Sequence, residues 1–197
     1  MAERDRLTEP IARTGSGAMM IAIDGFLLIE CPARPYAMTS ARGEHMEDQT
    51  QQELASPEVQ ARIQASFDRQ GLMAHLGARI AHIAPGRVHI VLPSRPEVTQ
   101  QNGYFHAGAT SAIADSAGGY AAFTLFPENT SVLTVEYKIN LLAPALGEHI
   151  EAVGTVLRPG RTLTVCHLEV FGAQGNERSL IAVGQQTLIR VNARPEQ

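Results

Sequence analysis

The sequence has no tryptophan, only two cysteines among 197 residues, and no apolar run long enough to cross a bilayer. Cys31 and Cys166 lie far apart and neither belongs to a Cys-x-x-Cys pair, so neither a disulfide framework nor a zinc site is expected. Basic residues do not cluster, and a net charge of −4 disfavours binding to nucleic acid. These absences indicate a globular protein of a reducing compartment.

The longest apolar stretch near the start, Gly17 to Cys31, is interrupted by Asp24 and follows a segment in which acidic and basic residues balance. A membrane span needs a longer stretch, and a secretory signal begins with a cationic segment. No glycine-rich phosphate loop follows a strand, and no group of residues has metal-ligand spacing. We therefore expect a cytoplasmic protein that binds neither membranes nor nucleic acid and needs no metal or cofactor.

Two parts of the chain differ in pattern. Residues 1–50 hold scattered prolines and glycines without a sustained hydrophobic period, which predicts a weakly ordered N-terminal extension. At the start of the patterned part, Ser56 is suited to an N-cap and Pro57 to the first helical position, so a helix is predicted to begin there. Alternating apolar residues on both sides of the dipeptide Pro85-Gly86 predict a β-hairpin.

The remaining elements are one long helix and four strands. The helix is predicted over 103–126, and the strands over 132–142, 149–160, 162–172 and 180–191. Strands that surround a single long helix in this order predict an α+β fold with a largely antiparallel sheet.

The long helix is built from alanine and glycine where a core helix normally carries leucine. Gly118 and Gly119 each reduce helix stability by roughly 1 kcal/mol relative to alanine. Small side chains, however, allow other backbones to approach a helix closely without leaving voids. We therefore predict that the sheet curves tightly around this helix.

The segment QQNGYFHAGATSAIADSAGGYAA, which starts at Gln100, resembles a motif of the phenylacetyl-CoA-thioesterase-like branch of the 4-hydroxybenzoyl-CoA thioesterase superfamily. In that family an Asn or Gln precedes a His-Gly-Gly sequence and an alanine-rich helix with an acidic residue. The later segments VEYKINLLAPALGEHI and GRTLTV are similar to the strands that follow. The resemblance covers residues 56–191 and implies the hotdog fold, an antiparallel sheet around a long central helix, with a preceding N-terminal helix.

Asp115 is the residue on which a functional prediction depends. It lies among apolar neighbours, eight residues beyond Ala107, and a buried carboxylate without a partner is costly. The spacing is about two helical turns, so we expect Asp115 near the helix face that starts at His106. The resemblance implies that Asp115 is the general base, or the nucleophile, at a thioester carbonyl, in a site built from two subunits.

The start of the long helix supplies the second half of the implied site. The free N–H groups of Ala107 and Gly108 lie at the positive end of the helix, where a developing oxyanion is stabilised. The family has Gly at the place of Ala107, but an alanine keeps the backbone N–H. His106 matches the family's His, and capping of the helix is the alternative role.

Two further positions match less closely. Gln100 occupies the place of the family's amide side chain, with Gln101 and Asn102 as alternatives. The resemblance implies that Thr134 positions the catalytic water, although threonine is also common in strands for its β propensity.

Arg158 and Arg161 flank a Pro-Gly turn and are candidates to bind the phosphates of coenzyme A. The alternative is that both arginines are solvated charges on an exposed turn and bind no ligand.

These implications predict a thioesterase that hydrolyses an acyl-CoA substrate and self-associates as a homodimer or homotetramer. The alternative is a non-catalytic hotdog module that binds or senses acyl-CoA, although no helix-turn-helix or basic extension accompanies the domain. A hydratase or dehydratase is disfavoured because the Asn-Pro-x-His context typical of those enzymes is absent.

Overall fold

The computed structural model describes residues 53–193. Two helices come first, α1 (Pro57–Phe67) and α2 (Gly71–Leu76), followed by the hairpin strands β1 (Arg79–Ala84) and β2 (Arg87–Pro93). A short 3₁₀ turn at Pro96–Val98 leads into the long helix α3, and four strands follow it. Their bounds are α3 Ala107–Phe123, β3 Thr130–Leu141, β4 His149–Arg158, β5 Leu163–Gln174 and β6 Glu177–Asn192.

The six strands form one sheet in the order β1-β2-β4-β5-β6-β3, with every neighbouring pair antiparallel. The predicted order of elements is therefore confirmed. The last two strands are longer than expected, because the turn between them is confined to Gly175 and Asn176. The predicted extension over residues 1–50, which includes Cys31, lies outside the described residues.

Helix α1 begins as the sequence predicts. The hydroxyl oxygen of Ser56 accepts a hydrogen bond from the N–H of Val59 (3.4 Å), and Pro57 takes the first helical position. The apolar stripe of this helix buries Ile63 and Phe67. Arg62 donates from one guanidinium nitrogen to the carbonyl oxygens of residues 123 and 126 (3.0 Å each), so it satisfies acceptors at the end of α3.

The small residues of α3 allow direct contact between backbones. A β-carbon added at Gly154 of β4 would lie 2.4 Å from the carbonyl oxygen of Ala117 and 2.5 Å from the backbone nitrogen of Gly118. Strand β4 therefore runs against the helix backbone with no room for any side chain between them. Cys166 on the neighbouring strand β5 is fully buried against the same part of the helix, 3.5 Å from the Gly118 carbonyl oxygen, and burial raises the pKa of its thiol to about 12.

Strand β3 is an edge of the sheet and pairs only with β6. Its outward side chains include Leu133 and Val135, which are 57% and 55% exposed, and the exposed Tyr137. A long edge strand with exposed apolar side chains is prone to pair with another chain.

None of the helices within residues 53–193 is both long and apolar enough to span a membrane.

Candidate active site

Three elements converge on the carboxylate of Asp115, which lies in the middle of α3. Its Oδ1 atom accepts a hydrogen bond from the hydroxyl of Thr134 on β3 (2.7 Å) and another from Nε2 of Gln186 on β6 (2.6 Å). Gln186 Nε2 also lies 3.0 Å from the Thr134 hydroxyl oxygen and 3.1 Å from the main-chain oxygen of Asp115. The second carboxylate oxygen, Oδ2, has no hydrogen-bond partner within residues 53–193.

A local irregularity in the sheet coincides with this contact. The pairing of β3 with β6 shifts register between Thr134 and Glu136. Such bulges change the direction in which a strand side chain points and often lie beside functional sites. Thr134 therefore holds the carboxylate in this chain, whereas its predicted role in positioning a water molecule stays a prediction.

Asp115 lies in the wall of a cavity of about 530 Å³ between α3, the end of α1 and the start of β3. Much of the wall is polar: the Tyr120 hydroxyl lies 3.0 Å from Nε2 of Gln70 and 3.3 Å from the Ser66 hydroxyl. Ser116 donates to the other amide atom of Gln70 (3.2 Å). Burial raises the pKa of Tyr120, so its hydroxyl keeps its proton. The cavity thus places a half-buried carboxylate beside space for a ligand.

A second cavity, of about 420 Å³, lies at the N-terminus of α3 and is lined by Gln100, His106 and Ala107. His106 is the N-cap residue, and its Nδ1 accepts a hydrogen bond from the N–H of Gly108 (2.9 Å). The Gly108 N–H is therefore already used, contrary to the expectation of two free donors. The Ala107 N–H takes part in no hydrogen bond within residues 53–193, so it is the donor available to a ligand.

The structure does not choose among the three candidates for the amide side chain of the family motif. Gln100, Gln101 and Asn102 all line the second cavity, and only Gln100 is partly buried. Its Oε1 accepts from the N–H of Asn102 (2.8 Å), which leaves the amide N–H₂ of Gln100 without a partner in the described part of the chain. A role for Gln100 toward a ligand remains a prediction.

Asp115 and His106 line different cavities. The prediction that Asp115 lies near the helix face of His106 is therefore wrong within a single subunit. Nine residues at about 100° each leave the two side chains roughly 180° apart around the helix. Along the axis, Asp115 lies about 12 Å beyond Ala107, at 1.5 Å per residue. A carbonyl group within hydrogen-bond distance of the Ala107 N–H therefore cannot touch Asp115 of the same chain.

Arg158 and Arg161 are exposed around the turn between β4 and β5, and they line neither cavity. Binding of phosphate groups by these arginines stays a prediction. Within residues 53–193 no group of three or more His, Cys, Asp or Glu side chains is arranged to hold a metal ion.

Gln186 is a site residue that is absent from the sequence-based predictions, although the sequence carries a signal for it. Strand β6 turns Ala182, Gly184, Gln186 and Leu188 toward the helix at every second position, and Gln186 is the only member of this set with a polar side chain. A long polar side chain in a buried apolar register needs a hydrogen-bond partner, and that partner is Asp115.

Comparison with known proteins finds relatives among thioesterases and esterases. Residues 102–179 match the family model described as the thioesterase superfamily. A protein of Saccharolobus solfataricus that carries an esterase name is 31% identical over 58% of this chain and 81% of its own length. Another with an esterase name, from Bacillus subtilis, is 30% identical over 59% of this chain and 91% of its own.

Two solved structures share the architecture. A thioesterase family protein from Silicibacter pomeroyi is 44% identical and superposes with a TM-score of 0.67 over 68% of this chain and 99% of its own. The PaaI protein of the Escherichia coli phenylacetic acid degradation operon superposes with a TM-score of 0.63 over 71% of this chain and 97% of its own. At 16% identity, the second likeness shows the fold alone.

Proposed function

Because the chain belongs to the thioesterase superfamily of hotdog proteins, we propose that it hydrolyses an acyl-CoA thioester to a free acid and coenzyme A. The observation that carries the proposal is the Asp115 carboxylate. Two donors hold its Oδ1, and its Oδ2 lies in the wall of a cavity with no hydrogen-bond partner in the described part of the chain. The proposed location is the cytoplasm.

The reaction needs a base or nucleophile on one side of the thioester carbonyl and a hydrogen-bond donor on its oxygen. Oδ2 of Asp115 either removes a proton from a water molecule that attacks the carbonyl carbon, or attacks that carbon itself. The developing oxyanion accepts a hydrogen bond from the Ala107 N–H, aided by the positive end of α3. The C–S bond then breaks, and coenzyme A leaves as a thiolate that takes up a proton. On the base route this step releases the free acid directly; on the nucleophilic route it leaves an acyl-aspartyl anhydride at Asp115, which a water molecule then hydrolyses to the free acid and the regenerated carboxylate.

The two halves of this chemistry come from different subunits in our proposal. The supporting observation is the separation of about 12 Å between Ala107 and Asp115 along one helix, together with their different cavities. The exposed edge strand β3, with Leu133 and Val135, offers a surface for a second copy of the chain. A homodimer is the smallest assembly that completes the site, and a homotetramer would hold two such dimers.

Within the same proposal, Arg158 and Arg161 bind the phosphates of coenzyme A, His106 orients the helix N-terminus, and Gln100 donates its free amide N–H to the substrate. Support for His106 comes from its hydrogen bond with Gly108. For the arginines the support is their exposure on one turn, where two positive charges lie three positions apart in the sequence.

A panel of acyl-CoA esters tests the activity. We expect the purified full-length protein to release free thiol from at least one aryl or aliphatic ester, followed with a thiol reagent, with saturation in substrate. Tight binding of the esters by calorimetry without thiol release would instead support the alternative function, a non-catalytic acyl-CoA binding or sensing module.

A mixed dimer tests the two-subunit site. Ala107→Pro removes one N–H at the first helical position, where proline is tolerated, and His106 already has the extended backbone (φ −66°, ψ 138°) that precedes proline. We expect this variant alone to lose about 10²–10³-fold in kcat. Co-expressed with Asp115→Asn, it should recover about a quarter of wild-type activity, because half of the dimers are mixed and each has one intact site.

The variant Ala107→Gly, which keeps the N–H, serves as the control and should retain activity. Mixed dimers that are isolated with two different affinity tags and remain inactive would show that the site does not combine Asp115 of one chain with Ala107 of the other.

A further inference from the structure

We propose that Gln186 is a positioning residue for the Asp115 carboxylate, an inference that rests on the proposed function. Its Nε2 lies 2.6 Å from Oδ1 of Asp115, 3.1 Å from the main-chain oxygen of the same residue and 3.0 Å from the hydroxyl oxygen of Thr134. One amide group thus contacts both the main chain and the side chain of Asp115. Such a double contact restricts the side-chain torsions of the aspartate.

The orientation of the Gln186 amide follows from its partners. Both oxygen atoms of Asp115 that it contacts can only accept hydrogen bonds when the carboxylate is ionised, so the N–H₂ end must face them. The other end, Oε1, is buried and has no hydrogen-bond partner among residues 53–193. Gln186 is fully buried in its strand. Packing alone does not favour a glutamine there, because burying an unpaired polar atom costs free energy.

Space for the unpaired oxygen comes from Gly118. A β-carbon at Gly118 would lie 2.0 Å from Oε1 of Gln186 and 2.6 Å from a methyl carbon of Leu168. The glycine in the long helix therefore allows the glutamine to lie against the helix and reach Asp115. Neither Gly118 nor Gln186 is explained by the stability of the fold, since alanine favours a helix and leucine would fill the core.

The contact determines which carboxylate oxygen reacts. The hydrogen bonds from Thr134 and Gln186 both end on Oδ1, so Oδ2 keeps its lone pairs for a water molecule or the thioester carbon. Without the Gln186 amide, Asp115 keeps one hydrogen bond and gains rotational freedom. Because a displacement of about 1 Å can lower a catalysed rate by 10²-fold, we expect the chemical step to suffer while substrate binding does not.

The test replaces Gln186 with methionine, which has a similar length and no N–H, or with leucine as a second variant in case methionine packs poorly. We expect kcat to fall about 10- to 100-fold with KM changed less than twofold, and the thermal midpoint to stay equal or rise because the unpaired Oε1 is removed. Gln185→Met, at the exposed neighbouring position of β6, is the matched control and should change neither constant.

Each outcome is decisive. A folded Gln186→Met or Gln186→Leu protein with kcat within twofold of wild type would overturn the inference and leave the proposed function intact. A fall in activity matched by an equal loss of folded protein, or a rise in KM at unchanged kcat, would also overturn it. A wild-type protein that releases thiol from no ester would instead disprove the proposed function, and the inference would fall with it.

Discussion

Asp115→Asn is expected to lower kcat by about 10²–10⁴-fold or more, with little change in KM or in the thermal midpoint. Asparagine has the shape of aspartate and can still accept at Oδ1 from Thr134 and Gln186. It lacks the negative charge that removes a proton from water or attacks a thioester. Steady-state hydrolysis of the best ester from the panel measures the effect.

Asp68→Asn is the matched control, because Asp68 is an exposed aspartate just after α1 whose side chain hydrogen-bonds, among residues 53–193, only with Gln64. It should leave kcat unchanged. An Asp115→Asn protein that keeps more than a tenth of wild-type kcat would rule out Asp115 as the base or nucleophile. After a single turnover in ¹⁸O-water, label in the Asp115 carboxylate would identify it as the nucleophile, since that label requires a covalent acyl-enzyme.

Gly154→Ala is expected to reduce the free energy of unfolding by about 3 kcal/mol or more. Its new β-carbon would overlap the backbone of α3, at 2.4 Å from Ala117 and 2.5 Å from Gly118. Backbone atoms in a buried helix cannot rotate away as a side chain can, so the strand must move off the helix. Urea denaturation followed by circular dichroism, at one fixed protein concentration, measures the change.

Gly71→Ala provides the comparison. Gly71 is the first residue of α2, and a β-carbon there would meet nothing within 4 Å. The substitution should leave the unfolding free energy unchanged or raise it by up to about 1 kcal/mol. Equal midpoints for Gly154→Ala and wild type would show that β4 and α3 do not lie in direct backbone contact.

Local sequence signals were sufficient to predict the helices and strands of the fold and their order. Ser56 and Pro57 mark the start of α1, and the dipeptide Pro85-Gly86 marks the hairpin turn, with Gly86 at a φ of 71°. The alanine- and glycine-rich composition of α3 correctly predicted a helix enclosed by its sheet. These features depend on neighbours within a few residues, so the order of residues alone was enough to recognise them.

The sequence by itself therefore determined the α+β architecture and singled out Asp115 as the unusual carboxylate of the long helix. Only the tertiary structure showed that Thr134 and Gln186 meet on its Oδ1, that the Gly108 N–H is occupied by His106, and that Ala107 and Asp115 line separate cavities. For the contacts on Asp115 the physical reason is distance along the chain. Gln186 lies 71 positions from Asp115, and only the register of β6 against β3 and the helix brings its amide to the carboxylate.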